Sequence, residues 1–410
     1  MNKKKIFNDP VYGFITISSD LIFEIIEHPY FQRLRRIKQV GLSDYVYPGA
    51  HHTRFHHALG AMHLMGVTLN NLRSKGHKIS DEEFEAAQIA ILLHDIGHGP
   101  FSHTLENSIL DNVHHEDLSL LIMQALNKHF NNQLSLAIKI FTGKYKRKFF
   151  HQLVSSQLDI DRIDYLSRDS FFTGVSEGTI GAERIIKMLE VKDDNIVVEE
   201  KGIYSIENFL SARRLMYWQV YLHKTSVSAE ILLSKIIARA KALHKRKEEL
   251  FTTPALALFL ENKVGLQQLK KDQKYIEQFC QLDDYDIWAV IKIWINHADK
   301  ILSSLCSMLI NRKLFKVILS NKKFSKEEIT KIEKDIAKKL KLQKDDLQYF
   351  MDTGLLTNAA YVSEGQSINI ITKSGKVIDV AEASDLPNIK AMSKIVKKYY
   401  LCYPKNVYLR

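Results

Sequence analysis

The chain has 410 residues, 45% of them hydrophobic and 26% charged, with 7 prolines and 17 glycines; this composition excludes a disordered or fibrous protein and leaves room for a sizeable core and two or three domains. Its 58 Lys and Arg against 47 Asp and Glu give a formal charge of +11, which favours polyanionic partners without choosing between nucleotides and nucleic acid. Cys280, Cys306 and Cys402 are odd in number and far apart, so neither a disulfide framework nor a Cys-type zinc site is readable, and a reducing cytoplasm is the expected compartment. The N-terminal M-N-K-K-K-I-F-N-D-P has the charge of a signal peptide without its apolar core, and no later stretch supplies eighteen apolar residues in a row. Neither a secretion signal nor a membrane span is expected.

In chain order, residues 6–18 read as an extended entry, because Pro10 and Gly13 break any helix. Helical periodicity then runs from Asp20 to Val40 through Leu21, Ile25, Ile26, Leu34 and Ile37, interrupted at Pro29. A connection over Gly41–His52 ends at Thr53, placed to cap a helix carrying Arg54, His57 and Leu64. Ser80 and Glu83 form a capping box for the next helix, which delivers His94 and Asp95. A helix is expected over residues 151–170, where Asp161, Tyr165 and Asp169 recur every fourth position along one stripe while Ile160, Ile163 and Leu166 face a core. Residues 195–204 read as a hairpin turning near Lys201 and Gly202. Helix is expected again from Ser205 to about Lys247, with several more to Asp346, one opened by the box Ser325 to Glu328. A last hairpin turns at Ser374–Gly375.

The most informative stretch is A-I-L-L-H-D-I-G-H-G-P-F-S-H, from Ala90 to His103. Adjacent His94 and Asp95 offer an imidazole nitrogen and a carboxylate oxygen to one divalent cation, and Gly97, Gly99 and Pro100 end the apolar run. An isolated His-Asp pair is most often a helix end with incidental histidines. Here His57 lies upstream in R-F-H-H-A-L-G and Asp161 downstream in L-D-I-D-R-I-D-Y-L-S-R-D.

The order His, His-Asp, Asp resembles that of the HD-domain metal-dependent phosphohydrolases. N-D-P-V-Y-G, H-P-Y-F-Q-R-L-R-R-I-K-Q-V-G, Y-P-G-A-H-H-T-R-F-H-H-A-L-G, H-H-E and R-R-L-M-Y-W-Q-V-Y-L-H-K-T extend the likeness over about residues 5–230, and they are similar to the deoxynucleoside triphosphate triphosphohydrolase branch. The resemblance implies that His57, His94, Asp95 and Asp161 hold a divalent metal ion; iron, manganese, nickel, zinc and magnesium all suit two imidazoles and two carboxylates. It implies His115 as general acid or base, oriented by Glu116, with His98 and His103 near the phosphates. Arg54, one turn before His57, Arg213 and Lys224 would contact phosphate. Gln39, Tyr165, Asp169 and Tyr221 would meet the sugar or base, Asp169 accepting from a 3′-hydroxyl.

The same resemblance, to the SAM and HD domain-containing branch, implies a nucleotide effector site at Lys5, Asn8, Gln32 and Arg35, with Glu27 where that branch has aspartate. No SAM domain is visible, and a homodimer or homotetramer is implied. The expected architecture is mainly α: a catalytic helical bundle over residues 1–240 with small hairpins, and a C-terminal helical region over 241–410 ending in a β-hairpin. The expected reaction is hydrolysis of deoxynucleoside triphosphates to deoxynucleoside and triphosphate. The alternatives are the same chemistry on another nucleotide, as in a nucleotidase, cyclic-nucleotide phosphodiesterase or alarmone hydrolase, or a nucleic-acid-binding regulator with a structural metal site. In the Lys-rich stretch from Arg312 to Lys344 the basic residues mix with Glu327, Glu328, Glu333 and Asp335, the pattern of a solvated helix face rather than a nucleic-acid groove.

Overall fold

The computed structural model describes residues 5–17, 19–358, 367–386, 389 and 396–405. The extended entry is a hairpin of β1 (Lys5–Asp9) and β2 (Gly13–Ile17), with Asp9 opposite Gly13. Asp9 Oδ1 accepts the N–H groups of Val11 and Tyr12 at 2.9 and 3.0 Å, which closes the turn. Helix α1 (Asp20–Glu27) is capped by Ser19, whose Oγ accepts from Ile22 N at 3.2 Å. After His28 comes α2 (Pro29–Gln32), with proline at the first position, where no N–H is required.

Helix α3 (Arg54–Ser74) has Thr53 at its N-cap and is buried on almost every side, so it runs through the core rather than over it. Against it packs α4 (Asp81–Leu93). The expected box opens α4: Ser80 N donates to Glu83 Oε2 at 2.9 Å and Glu83 N to Ser80 Oγ at 3.1 Å. Next come α5 (His103–Ile109), α6 (His115–His129), α7 (Ser135–Phe141) and α8 (Lys148–Val154). The single helix expected over 151–170 is in fact two. Asp159 accepts from Ser156 N and Arg162 N, both at 2.8 Å, and so caps a new helix, α9 (Ile160–Thr173), which packs along α3.

Helix α10 (Ala182–Met188) leads to β3 (Leu189–Lys192) and β4 (Asn195–Glu199), which pair antiparallel. This hairpin turns at Asp193–Asp194 and not at Lys201–Gly202. Both aspartates have positive φ, 49° and 60°, which suits a tight turn between twisted strands. Glu200–Gly202 instead form a 3₁₀ turn into α11 (Ile203–Met216), followed by a π-helical turn over Tyr217–Tyr221.

Helix α12 (Lys224–Lys245) runs straight through residue 240. Beyond it lie α13 (Pro254–Glu261), α14 (Leu266–Lys271), α15 (Gln273–Phe279), α16 (Asp284–Trp294) and α17 (Lys300–Ile310). A strand not expected from the sequence, β5 (Phe315–Ser320), then packs with α17 on α12. It is followed by α18 (Lys326–Leu340), with the expected Ser325–Glu328 box, and β6 (Asp352–Asn358). The hairpin at Ser374–Gly375 forms from β7 (Asn369–Ile371) and β8 (Val377–Asp379), but it does not end the chain. Strand β7 pairs in parallel with β4, and after α19 (Val380–Ala383) strand β9 (Val396–Pro404) lies between β5 and β6. The architecture is mainly α, with one buried apolar core continuous from Ile15 to Tyr403. No helix among the described residues is long and apolar enough to cross a membrane.

Candidate metal centre

Three helices converge on one point. His57 lies in the first turn of α3, His94 and Asp95 follow the end of α4, and Asp161 lies in the first turn of α9. His57 Nε2 is 3.4 Å from His94 Nε2, 3.1 Å from Asp161 Oδ1 and 3.7 Å from Asp95 Oδ2. His94 Nε2 is 3.3 Å from Asp161 Oδ1 and 3.4 Å from Asp95 Oδ1.

The far side of each imidazole decides what faces this centre. His57 Nδ1 donates to Asp164 Oδ2 at 2.7 Å and His94 Nδ1 to the Ile91 carbonyl at 2.6 Å, so each ring, when neutral, turns its Nε2 lone pair inward. Two lone pairs and two carboxylates, all acceptors, then face one another, each imidazole Nε2 lying 3.1–3.7 Å from both carboxylates. Only a cation or extra protons relieve that arrangement, and the donor set of two nitrogens and two oxygens suits a divalent ion. The charges adjust accordingly. Burial alone would lower the His57 pKa, but its bonds to Asp161 and Asp164 outweigh burial and push it up to about 10. Burial would raise Asp95, yet His94, His98 and Arg54 hold it well below the usual carboxylate range.

Beside the centre, Arg54 pairs through Nη1 with Asp95 and donates through Nε to Ser102 Oγ at 2.9 Å. The His98 and His115 rings lie 3.9 Å apart. His115 Nδ1 is 3.1 Å from Glu106 Oε1, which also accepts from the His115 N–H at 2.7 Å; the solvent-exposed Glu116 reaches His115 Nε2 at 3.4 Å. His115 is thus gripped by Glu106, with Glu116 at its outer edge. His103 opens α5, and its side chain lies outside the described residues.

Residues 54–169 match the HD domain model and residues 180–253 the HD associated region. The crystal structure of a phosphohydrolase from Bacteroides thetaiotaomicron superposes with a TM-score of 0.95 at 54% identity, over 98% of this chain and all of that one. The uncharacterized protein YwfO of Bacillus subtilis is 32% identical over 99% of this chain and 94% of its own length. The chain belongs to the HD-domain family of metal-dependent phosphohydrolases. A Dictyostelium discoideum relative named as a deoxynucleoside triphosphate triphosphohydrolase is 31% identical over 60% of this chain, which spans about half (51%) of that relative's length.

Further along α9 of this HD protein a second cluster forms. Asp169, buried, lies 2.6 Å from His52 Nε2 and accepts from Tyr221 OH at 2.6 Å. Tyr165 stands between, its ring 6.2 Å from that of Tyr221 and its hydroxyl in the fields of Arg213 and Asp161. Burial first, then Asp169, raises the Tyr221 pKa well above the usual phenol value, so it stays a donor. Gln39 donates its N–H to the His52 carbonyl at 3.0 Å and buries its Oε1 with no partner among the described residues. Buried Arg213 donates from Nη1 to Gln157 Oε1 at 3.1 Å. Lys224 is exposed at the first position of α12.

The five effector positions lie on the N-terminal elements. Lys5 sits over the Phe23 ring at 4.9 Å and Arg35 over Phe55 at 3.6 Å. Gln32 accepts from Arg35 Nε at 2.8 Å, Glu27 acts on Arg35 through its charge, and Asn8 lies exposed on β1. Asp164, Glu106, His52 and Ser102 join the site only in the folded chain. Asp164 carries a local signal, its i,i+4 pairing with Arg168 on α9; Glu106, His52 and Ser102 find their partners 9, 117 and 48 residues away, outside any helical repeat, and leave none.

Proposed function

We propose that this HD phosphohydrolase cleaves deoxynucleoside triphosphates into deoxynucleoside and intact triphosphate. The observation that carries the reading is the course of α9, with Asp161 3.1 Å from His57 Nε2 and Asp169 in a buried cluster with Tyr221 and His52, Tyr165 between them. Such a run matches a triphosphate at one end and a sugar at the other, and the name of the Dictyostelium relative supports it.

In this reading His57, His94, Asp95 and Asp161 hold the ion. A divalent ion there supplies Lewis acidity and makes water more acidic. Arg54 and His98 bind phosphate oxygens and offset the charge that grows at the α-phosphorus. Water attacks that phosphorus, an O–P bond forms as the water gives up a proton to solvent, and the bond to the nucleoside 5′-oxygen breaks. His115, oriented by Glu106, gives its proton to the departing 5′-oxygen. Tyr165, Tyr221 and Gln39 close on the sugar, where Asp169 accepts from the 3′-hydroxyl, and Arg213 and Lys224 steer phosphate. His103 completes the phosphate site, and Glu116 borders its mouth.

Lys5, Asn8, Glu27, Gln32 and Arg35 form a nucleotide effector face in the same reading, and the enzyme works in the cytoplasm as a homodimer or homotetramer. The test is product analysis with each deoxynucleoside and ribonucleoside triphosphate, with Mn²⁺ or Mg²⁺, with and without guanosine triphosphate. Deoxynucleoside plus triphosphate, lost in His94→Ala and Asp161→Ala, supports the reading. Monophosphate or inorganic phosphate moves the substrate to another nucleotide. No turnover, with binding of single strands that falls steeply with salt and survives Asp95→Ala, favours the regulator instead.

A further inference from the structure

The metal ligand His57 is the end of a buried chain of charges that begins on the N-terminal hairpin. His57 Nδ1 donates to Asp164 Oδ2 at 2.7 Å. Asp164 cannot swing away, because Arg168 donates from Nε to Oδ2 and from Nη2 to Oδ1, each at 3.0 Å. Arg168, fully buried, is fixed in turn by Asp9, with Nη1 2.7 Å from Oδ2 and Nη2 3.4 Å from Oδ1. Asp9 is the same carboxylate that accepts from Val11 and Tyr12 and shapes the hairpin turn. The Tyr12 ring lies 5.4 Å from the guanidinium. Helix α3 leaves room for the chain at Gly60, where a Cβ would come within 2.1 Å of both Arg168 Nη2 and Asp164 Oδ1.

We propose that Asp9 and Arg168 are positioning residues which, through Asp164, set the tautomer and ring plane of His57 and so couple the metal centre to the β1–β2 hairpin. The physical reason is that a buried guanidinium with one carboxylate removed must reorient or draw in water. Its movement drags Asp164, and the partner on the far ring nitrogen of a metal-binding histidine governs affinity by about 10–100-fold. The coupling is reciprocal: whatever the hairpin does to the metal, the metal does to the hairpin. The proposal rests on His57 being a metal ligand.

The experiment is Mn²⁺ titration by calorimetry on the full chain. Asp9→Asn keeps an acceptor for Val11 and Tyr12 but removes the negative charge that faces Arg168; its Mn²⁺ affinity falls about 10-fold or more, while Asp20→Asn, on the surface of α1, binds as wild type. With saturating Co²⁺ in place of Mn²⁺, the visible absorption of Asp9→Asn differs from wild type, which a merely structural role would not produce. In wild type, without any variant, Mn²⁺ slows amide exchange in β1 and β2. Unchanged Mn²⁺ affinity in Asp9→Asn, an unchanged Co²⁺ spectrum, or hairpin exchange indifferent to Mn²⁺ overturns the proposal. His57→Ala separates the two readings: if it binds Mn²⁺ like wild type, the metal-centre assignment itself fails.

Discussion

Substituting Gly97 by alanine tests how tightly α6 is docked on the turn that carries His94 and Asp95. Gly97 follows Asp95 by two residues, and a Cβ there would lie 2.2 Å from His115 O, 2.4 Å from Ser119 N and 2.8 Å from Leu118 Cβ. Its own φ is outside the left-handed region, so alanine suits the local backbone and the cost is steric. Two of the three contacts are main-chain atoms of α6, which cannot rotate away, so the first turn of α6 must retreat by about 1 Å to reach ordinary contact. That turn carries His115, whose ring stands 3.9 Å from His98. Overpacking of this kind costs about 1–3 kcal/mol, and a shift of about 1 Å in a catalytic group costs on the order of 100-fold in turnover. Urea unfolding and nucleotide hydrolysis with Mn²⁺ measure the two effects, and Mn²⁺ affinity stays near wild type because none of the four candidate metal ligands lies on α6. A Gly97→Ala protein with wild-type stability and turnover would falsify this account of the helix contact.

Ser119 Oγ donates to His94 O at 2.6 Å and accepts from Gly97 N at 2.9 Å; Ser119→Ala orphans both buried groups and lowers stability by about 1–3 kcal/mol in urea unfolding, and an unchanged midpoint refutes the bond's value. Burial alone pushes the Glu230 carboxyl from 4.5 up to about 7. The folded chain therefore binds this proton more tightly than the unfolded one, and stability from this group is full below pH 4.5 and is lost as pH rises through 7. Glu230→Gln removes that slope, matching wild type near pH 4 and exceeding it by about 3 kcal/mol at pH 8; parallel pH curves for the two proteins contradict it. Tyr221→Phe takes the phenolic donor from Asp169 and raises KM for the proposed deoxynucleoside triphosphate substrate while leaving Mn²⁺ affinity unchanged; an unaltered KM removes Tyr221 from the proposed sugar site.

What the chain declares locally was legible along it. Helix caps at Ser80–Glu83 and Ser325–Glu328 depend on groups three residues apart, and the spacing of Asp161, Tyr165 and Asp169 depends only on the helical repeat. The four candidate metal ligands could be named because the His-Asp pair is adjacent and its companions sit in recognisable stretches. Their meeting point, and what stands behind them, was decided by tertiary packing. The stripe on α9 divides between two sites, since His57 and His94 take Asp161 while His52 and Tyr221 take Asp169. The α8–α9 break was missed because a capping aspartate reads as helix when its bonds to Ser156 and Arg162 are unseen. Strand β5 left no trace because its partner β9 comes only at Val396–Pro404, and backbone pairing across such a separation imposes no period on the sequence. The same holds for Asp9 and Arg168: their charges are plain in the sequence, but only the fold brings them together and buries them behind His57.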